Sequence, residues 1–268
     1  MAKKLTLPEI LQMKPQGRKI TMMTAYDYTT GMLVEKAGID TILVGDSLAM
    51  TVLGYDSTVF VTMEEMLHHT RAVRRGAKNT FIIADMPFGS YNASCEQAVL
   101  NASRFVREGG ADAVKLEGGV VAAEVTAAVV KGGVPVLGHI GLTPQTVTQL
   151  GGFKVQGKTE EAARQLIEDA RALEEAGAFG VVLECIPMGL AAEITKAVSI
   201  PTIGIGAGPH CDGQVLVYND VVGLFDKFVP KFVKRYAKLD EIIVAGLEKY
   251  REEVQQGIFP DEEHSFKG

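Results

Sequence analysis

Tryptophan is absent from this chain and cysteine is scarce, with three residues in 268. Cys95, Cys185 and Cys211 are scattered, and no C-x-x-C spacing offers a zinc site or a redox pair. Reduced thiols of a cytoplasmic protein are the expectation. No apolar run approaches the roughly 18 residues of a spanning helix. The opening Met1-Ala-Lys-Lys-Leu-Thr-Leu-Pro8 lacks the apolar stretch of a signal peptide. Positive charge is not in excess either: 27 Lys and Arg against 33 Asp and Glu leave a net −6. That argues against nucleic acid, whose binders present a basic face. The one basic run, Lys231-Phe-Val-Lys-Arg-Tyr-Ala-Lys238, alternates with apolar residues at helical spacing and reads as a solvated helix face. The expected protein is soluble and cytoplasmic, with neither a nucleic-acid nor a membrane partner.

What the chain does have is apolar material, 47% of residues with 22% charged, enough for one α/β barrel or two small domains. Lys19-Ile-Thr-Met-Met-Thr24, Thr41-Ile-Leu-Val-Gly45 and Phe81-Ile-Ile-Ala84 read as the first three strands. Asp112-Ala-Val-Lys-Leu-Glu-Gly-Gly119, Pro135-Val-Leu-Gly-His139, Gly180-Val-Val-Leu183 and Pro201-Thr-Ile-Gly-Ile205 follow. Val215 to Tyr218 and Val221 to Leu224 are expected to supply the eighth position. Helical stretches lie between the strands, with capping signatures at Thr62-Met-Glu-Glu65 and Ser94-x-x-Gln97. The alternation predicts a (β/α)8 TIM barrel, a single domain over residues 1–268, with a short N-terminal helix and a helical tail from about Val229. An open doubly wound sheet is the rival, but no G-x-G-x-x-G opens the first helix.

The stretch at Asp112 carries the most information. In a strand the side-chain period is two, so Lys115 and Glu117 share one face while Val114 and Leu116 share the other. A buried parallel strand normally reads as an unbroken apolar run, so a cation and an anion on one face must pair or bind something. A structural ion pair plugging the barrel is one reading; a site is the other. A weak internal repeat extends the pattern. Gly38, Gly110 and Gly177 each end a helix, and a carboxylate (Asp46, Glu117, Glu184) follows seven or eight residues later.

Asp46, Asp85, Glu117 and Glu184 therefore fall at the C-terminal ends of apolar strands, the end where such barrels carry their active sites. Carboxylates converging there repel at low dielectric unless a cation joins them. Asp46, Asp85 and Glu117 come from neighbouring strands and can reach one ion, with His139 the only imidazole nearby. Hard oxygen ligands select Mg²⁺ or Mn²⁺ over zinc. His68-His69 reads as surface or helix packing, and Met22, Met23, Met63 and Met66 as core.

Six segments carry a resemblance: Thr24-Ala-Tyr-Asp27, Val44-Gly-Asp-Ser47, Ala84-Asp-Met-Pro-Phe-Gly89, Val114-Lys-Leu-Glu-Gly118, Gly138-His-Ile-Gly-Leu-Thr-Pro-Gln145 and Gly204-Ile-Gly-Ala-Gly-Pro-His-Cys-Asp-Gly-Gln214. They closely resemble the ketopantoate hydroxymethyltransferase family at every strand end. The resemblance implies transfer of a one-carbon unit from 5,10-methylenetetrahydrofolate to 3-methyl-2-oxobutanoate, giving 2-dehydropantoate in pantothenate synthesis. It further implies Mg²⁺ on Asp46, Asp85 and Glu117, the ketoacid held by that ion together with Ser47 and Lys115, and Glu184 as the base. A homo-oligomer, often a decamer in the family, is implied as well. The rivals are a phosphoenolpyruvate mutase or isocitrate lyase relative, a Schiff-base aldolase using Lys115, and a non-catalytic ketoacid-binding barrel. The first needs a phosphonate site or a lyase cysteine, and the sequence offers neither.

Overall fold

Largely apolar runs of four to six residues become eight parallel strands in the computed structural model, which describes residues 4–149, 151–225 and 229–268. The strands are β1 (Ile20–Thr24), β2 (Thr41–Val44), β3 (Phe81–Asp85), β4 (Ala113–Glu117), β5 (Val136–Gly141), β6 (Gly180–Glu184), β7 (Thr202–Ile205) and β8 (Gly213–Leu216). They pair in chain order, and β8 returns to β1, closing the barrel. The expected (β/α)8 architecture is what forms.

The helices are α1 (Leu7–Met13), α2 (Tyr28–Lys36), α3 (Leu48–Thr51), α4 (Met63–Gly76), α5 (Cys95–Arg104), α6 (Val120–Lys131), α7 (Glu160–Glu175), α8 (Met188–Ala197), α9 (Tyr218–Val222) and α10 (Leu239–Gln255). Thr62 and Glu65 form the expected capping box at the start of α4, and Ser94 caps α5. Beyond Arg104 the helix loosens into a π turn, Phe105–Gly109. The repeat glycines Gly38, Gly110 and Gly177 all have left-handed φ (75°, 73° and 91°). That conformation ends a helix and costs glycine little. No helix among the described residues is long and apolar enough to cross a membrane.

Residues 1–217 and 218–268 make two compact units. In the first, every strand sends side chains into one interior core, and β5 and β6 also pack against the helices outside. Ile20, Met22, Leu43, Phe81, Ile83, Ala113, Leu137, Val182, Ile203 and Val215 fill the barrel interior. Ile10 and Met13 of α1 join this cluster, so the N-terminal helix plugs the barrel through its apolar side. Val181 and Leu183 point the other way, against Leu173 of α7 and Ile194 of α8. The layers touch closely: a Cβ added at Gly138 would lie 2.6 Å from Leu173 Cδ1.

The second unit holds α9 and α10. Two expectations fail near here. The eighth strand is Gly213–Leu216, a few residues earlier than expected, because β8 approaches β1 closely: a Cβ at Gly213 would meet the Ile20 carbonyl oxygen at 2.5 Å. A glycine that reads as loop is what the pairing requires. The tail helix starts at Leu239, not Val229, and the basic run forms no helix, only a turn at its start. Lys231, Lys234, Arg235 and Lys238 would stack like charges at helical spacing, whereas Asp240 and Glu241 give α10 an acidic first turn.

Candidate active site

The interior parity that puts Ala113 in the barrel core also turns Lys115 and Glu117 inward, two and four residues further along β4. The same step from Ile83 reaches Asp85, from Leu137 reaches His139, and from Val182 reaches Glu184. Register completes the arrangement: Asp85 pairs with Lys115 across β3 and β4, and Glu117 with His139 across β4 and β5. Five ionisable side chains therefore crown one closed apolar core.

Their contacts form a connected set. Lys115 Nζ lies 3.3 Å from Asp85 Oδ1 and 3.2 Å from His139 Nδ1. His139 Nδ1 is also 3.3 Å from Glu117 Oε1, and its Nε2 is 3.1 Å from Glu184 Oε2. Glu184 is the most open of the acids on the strands, its side chain 16% exposed against 3% for Asp85 and 2% for Glu117. Cys185, directly after it, is the only non-glycine with left-handed φ (49°) among the described residues. Such strain persists where surrounding bonds enforce it. Here Cys185 N–H donates to the Ile205 carbonyl and Gln156 N–H to the Cys185 carbonyl.

Asp46 joins from the turn after β2. Its N–H donates to Asp85 Oδ2 at 2.9 Å, and its own Oδ2 accepts from Gln145 Nε2 at 2.9 Å. Burial first, then Asp85 and Glu117, pushes the Asp46 carboxyl up to about 8. Burial likewise raises Asp85, against the pull of Lys115. For Lys115 burial opposes the charge, but Asp85, Glu117 and Asp46 together outweigh it and hold the ammonium charged. His139 shows a similar contest: burial and Lys115 disfavour the cation, yet Glu117 and Glu184 lift it to about 9. Tyr26 Oη and Ser47 Oγ lie 2.9 Å apart beside this group.

A divalent cation fits these residues by the chemistry of their oxygens. Asp85 Oδ1 and Glu117 Oε1 are buried and accept no hydrogen bond among the described residues. Each faces a cationic side chain at 3.3 Å, Lys115 Nζ or His139 Nδ1, without a hydrogen bond, and a hard cation is a further partner suited to such oxygens. Among the described residues no three His, Cys, Asp or Glu side chains already form a ligand cage. Mg²⁺ needs none, because it keeps waters and takes one or two carboxylates plus substrate oxygens.

Asp46, Ser47, Asp85, Lys115, Glu117 and Glu184 are thus brought to one end of the barrel, together with His139. The sequence alone assigns Gln145 and Tyr91 no role, although Gln145 closes the Gly138–Gln145 segment that carries part of the family resemblance. Gln145 bonds two of the acids, and the Tyr91 hydroxyl accepts from Glu117 N–H at 3.2 Å. His68 is exposed, whereas His69 is half-buried with Nδ1 2.5 Å from the Tyr26 carbonyl oxygen, so it packs against the end of β1. Met22 and Met66 are core; Met23 and Met63 are half-buried.

Comparison with known proteins agrees with this geometry. The chain matches the ketopantoate hydroxymethyltransferase family over residues 4–262. The 3-methyl-2-oxobutanoate hydroxymethyltransferase of Heliobacterium modesticaldum is 61% identical over 99% of this chain and 96% of its own. That of Moorella thermoacetica is 60% identical over 98% of each. Among solved structures, phosphonopyruvate hydrolase superposes with a TM-score of 0.65 at 14% identity, over 100% of this chain and 92% of that one. The same enzyme in complex with oxalate and Mg²⁺ gives 0.62 at 14% identity, over 97% and 93%. The 2,3-dimethylmalate lyase, a phosphoenolpyruvate mutase/isocitrate lyase superfamily member, gives 0.59 at 15%, over 97% and 91%. Those structures share the barrel; the close sequence kinship lies elsewhere. The chain belongs to the ketopantoate hydroxymethyltransferase family and is a transferase.

Proposed function

We propose that the chain moves a one-carbon unit from 5,10-methylenetetrahydrofolate to 3-methyl-2-oxobutanoate, forming 2-dehydropantoate for pantothenate synthesis. The observation that carries this reading is the joining of Asp85, Lys115, Glu117, His139 and Glu184 at one end of the barrel interior, in a chain of this family. Asp46, Asp85 and Glu117 would hold Mg²⁺, directly or through its waters. When bound, the ion supplies Lewis-acid stabilisation of an oxygen on which charge develops, worth several kcal/mol. A protein of this fold solved with oxalate and Mg²⁺ supports that choice of ion.

Lys115 presents a fixed positive charge to the ketoacid carboxylate, and Ser47 Oγ offers a hydroxyl beside it. Protonated by its three acidic neighbours, Lys115 is no nucleophile, which speaks against the Schiff-base reading. Glu184 takes the proton from C3: the C3–H bond breaks, its electron pair forms C2=C3, and the negative charge moves to the keto oxygen. Water adds to the methylene carbon as its two C–N bonds to the folate break, releasing tetrahydrofolate and leaving a one-carbon unit at the formaldehyde level. C3 then bonds to that carbon as the C2 keto group re-forms, and the carbonyl oxygen, which came from the water, takes the proton back from Glu184 to become the product hydroxyl. His139, 3.1 Å from Glu184 Oε2, holds that carboxylate towards the mouth.

Location and assembly complete the reading. Cys95, Cys185 and Cys211 are all free, in keeping with a cytoplasmic enzyme. Leu100 on α5 and Val121 on α6 are 62% and 90% exposed, apolar surface suited to the homo-oligomer, of decamer type, that the family resemblance implies. The test is formation of 2-dehydropantoate from the two substrates, with and without EDTA. Product that appears at full rate after chelation sinks the metal assignment; no product with Mg²⁺ present sinks the activity.

A further inference from the structure

The three acids assigned to the metal share a feature that their positions on the strands do not explain. Each spends one carboxylate oxygen on a protein donor. Asp85 Oδ2 accepts from Asp46 N–H at 2.9 Å. Asp46 Oδ2 and Glu117 Oε2 both accept from one residue, Gln145: the first from its side-chain amide at 2.9 Å, the second from its backbone N–H at 3.0 Å. Gln145 sits in the 3-10 turn Pro144–Thr146 after β5 and is itself buried.

The amide can face only one way. Its Nε2 meets two acceptors, Asp46 Oδ2 and the Met86 carbonyl at 3.0 Å, and so spends both hydrogens. Its Oε1 accepts from Tyr91 Oη at 2.7 Å. The Tyr91 hydroxyl in turn accepts from Glu117 N–H at 3.2 Å, so its one proton must go to Gln145. Flipping the amide would set an oxygen against two acceptors and strand the Tyr91 proton. The chain of bonds therefore has a single polarity, and a fully satisfied buried network of this kind is stiff.

We propose that Gln145, held by Tyr91, is the positioning residue of the metal site: it ties Asp46 to Glu117 and turns one oxygen of each carboxylate away, leaving the other for the ion. This rests on the metal reading above. Two acids from the turn after β2 and the end of β4 would otherwise repel across the barrel mouth. The clamp fixes their separation before any ion arrives, so less ordering remains for metal binding to pay for. Partners of ligating carboxylates commonly govern affinity to this degree.

Mn²⁺ binding to the whole protein, followed by the EPR signal of the free ion without substrate, tests it. Wild type and Asp85→Asn come first. Binding that Asp85→Asn weakens places the ion at the acids; binding that ignores the substitution removes the metal reading and this proposal with it. Once the ion is placed, Gln145→Ala and Gln145→Met, which keep the backbone N–H to Glu117, are expected to weaken Mn²⁺ by roughly tenfold to a hundredfold. Tyr91→Phe is expected to weaken it less, and the double variant to fall short of the sum, because Tyr91 acts largely through Gln145. Circular dichroism establishes folding. Unchanged affinity in a folded Gln145 variant, or additive losses in the double, overturns the assignment. If neither Gln145 variant folds, Tyr91→Phe decides alone, and unchanged affinity there overturns it as well.

Discussion

The proposed metal binding should be coupled to a proton. Burial together with Asp85 and Glu117 holds the Asp46 carboxyl at about 8, against an ordinary value of 3.8. At pH 7 the group is therefore about nine-tenths neutral, and an ion that needs the carboxylate must expel its proton. The sign follows. A carboxyl raised in the free protein stabilises that state at low pH, and the advantage fades as pH rises towards 8. Divalent-ion affinity should thus climb with pH, nearly tenfold per unit below 8, and flatten above it. Between pH 6 and 8 the gain is on the order of fiftyfold. Calorimetric titration of Mg²⁺ in two buffers of different ionisation enthalpy counts the protons: close to one released per ion at pH 7. In Asp46→Asn the release should fall and the remaining weak binding should depend less steeply on pH. Affinity in the wild type that stays level between pH 6 and 8, with no proton released, would refute the reasoning.

Other outcomes follow from the same geometry. Asp85→Asn should leave the fold intact by circular dichroism and nearly abolish turnover at limiting Mg²⁺, since it removes both a proposed ligand and the partner of Lys115. Borohydride treatment of wild type with the ketoacid should give no mass increase, because the Lys115 ammonium is held charged; an adduct on Lys115 would replace the proposed mechanism by imine chemistry. Asp220 of α9 is buried and raised by that burial to about 6, so its ionisation opposes folding. Stability is lost as pH rises from the unfolded value towards 6, and Asp220→Asn should therefore stabilise at pH 7 by at most about 3 kcal/mol and have no effect near pH 3. A melting temperature at pH 7 that does not rise contradicts this.

The fold and the crown of the site were legible for one physical reason. A side-chain period of two, applied to Asp112–Gly119, says that Lys115 and Glu117 share a face, and barrel closure makes that face the interior. The glycine-then-acid repeat was visible too, since left-handed residues at Gly38, Gly110 and Gly177 end helices six or seven residues before the end of the next strand. What was hidden has no period. Gln145 and Tyr91 lie in the segments after β5 and β3, and their hydrogen bonds span 99 and 26 residues to Asp46 and Glu117. Nothing local marks a glutamine as a clamp. Gly213 misled for the opposite reason: a close backbone approach and a loop look alike in sequence, and only the neighbour at Ile20 separates them. The basic run before α10 misled because its apolar spacing suits a helix while its charges do not.

The central claim is that Glu184 removes the C3 proton. That step needs no folate. Wild-type enzyme with Mg²⁺ should therefore exchange the C3 proton of 3-methyl-2-oxobutanoate with solvent deuterium, followed by NMR. Glu184→Gln keeps the shape but accepts no proton, and exchange should fall by roughly 10²–10⁴-fold, the weight of a positioned general base. Ketoacid and metal affinity should change far less, because Glu184 contacts His139 and lies apart from the Gln145 clamp. Near-normal exchange in a folded Gln variant would contradict the account and move the base to another group at the barrel mouth.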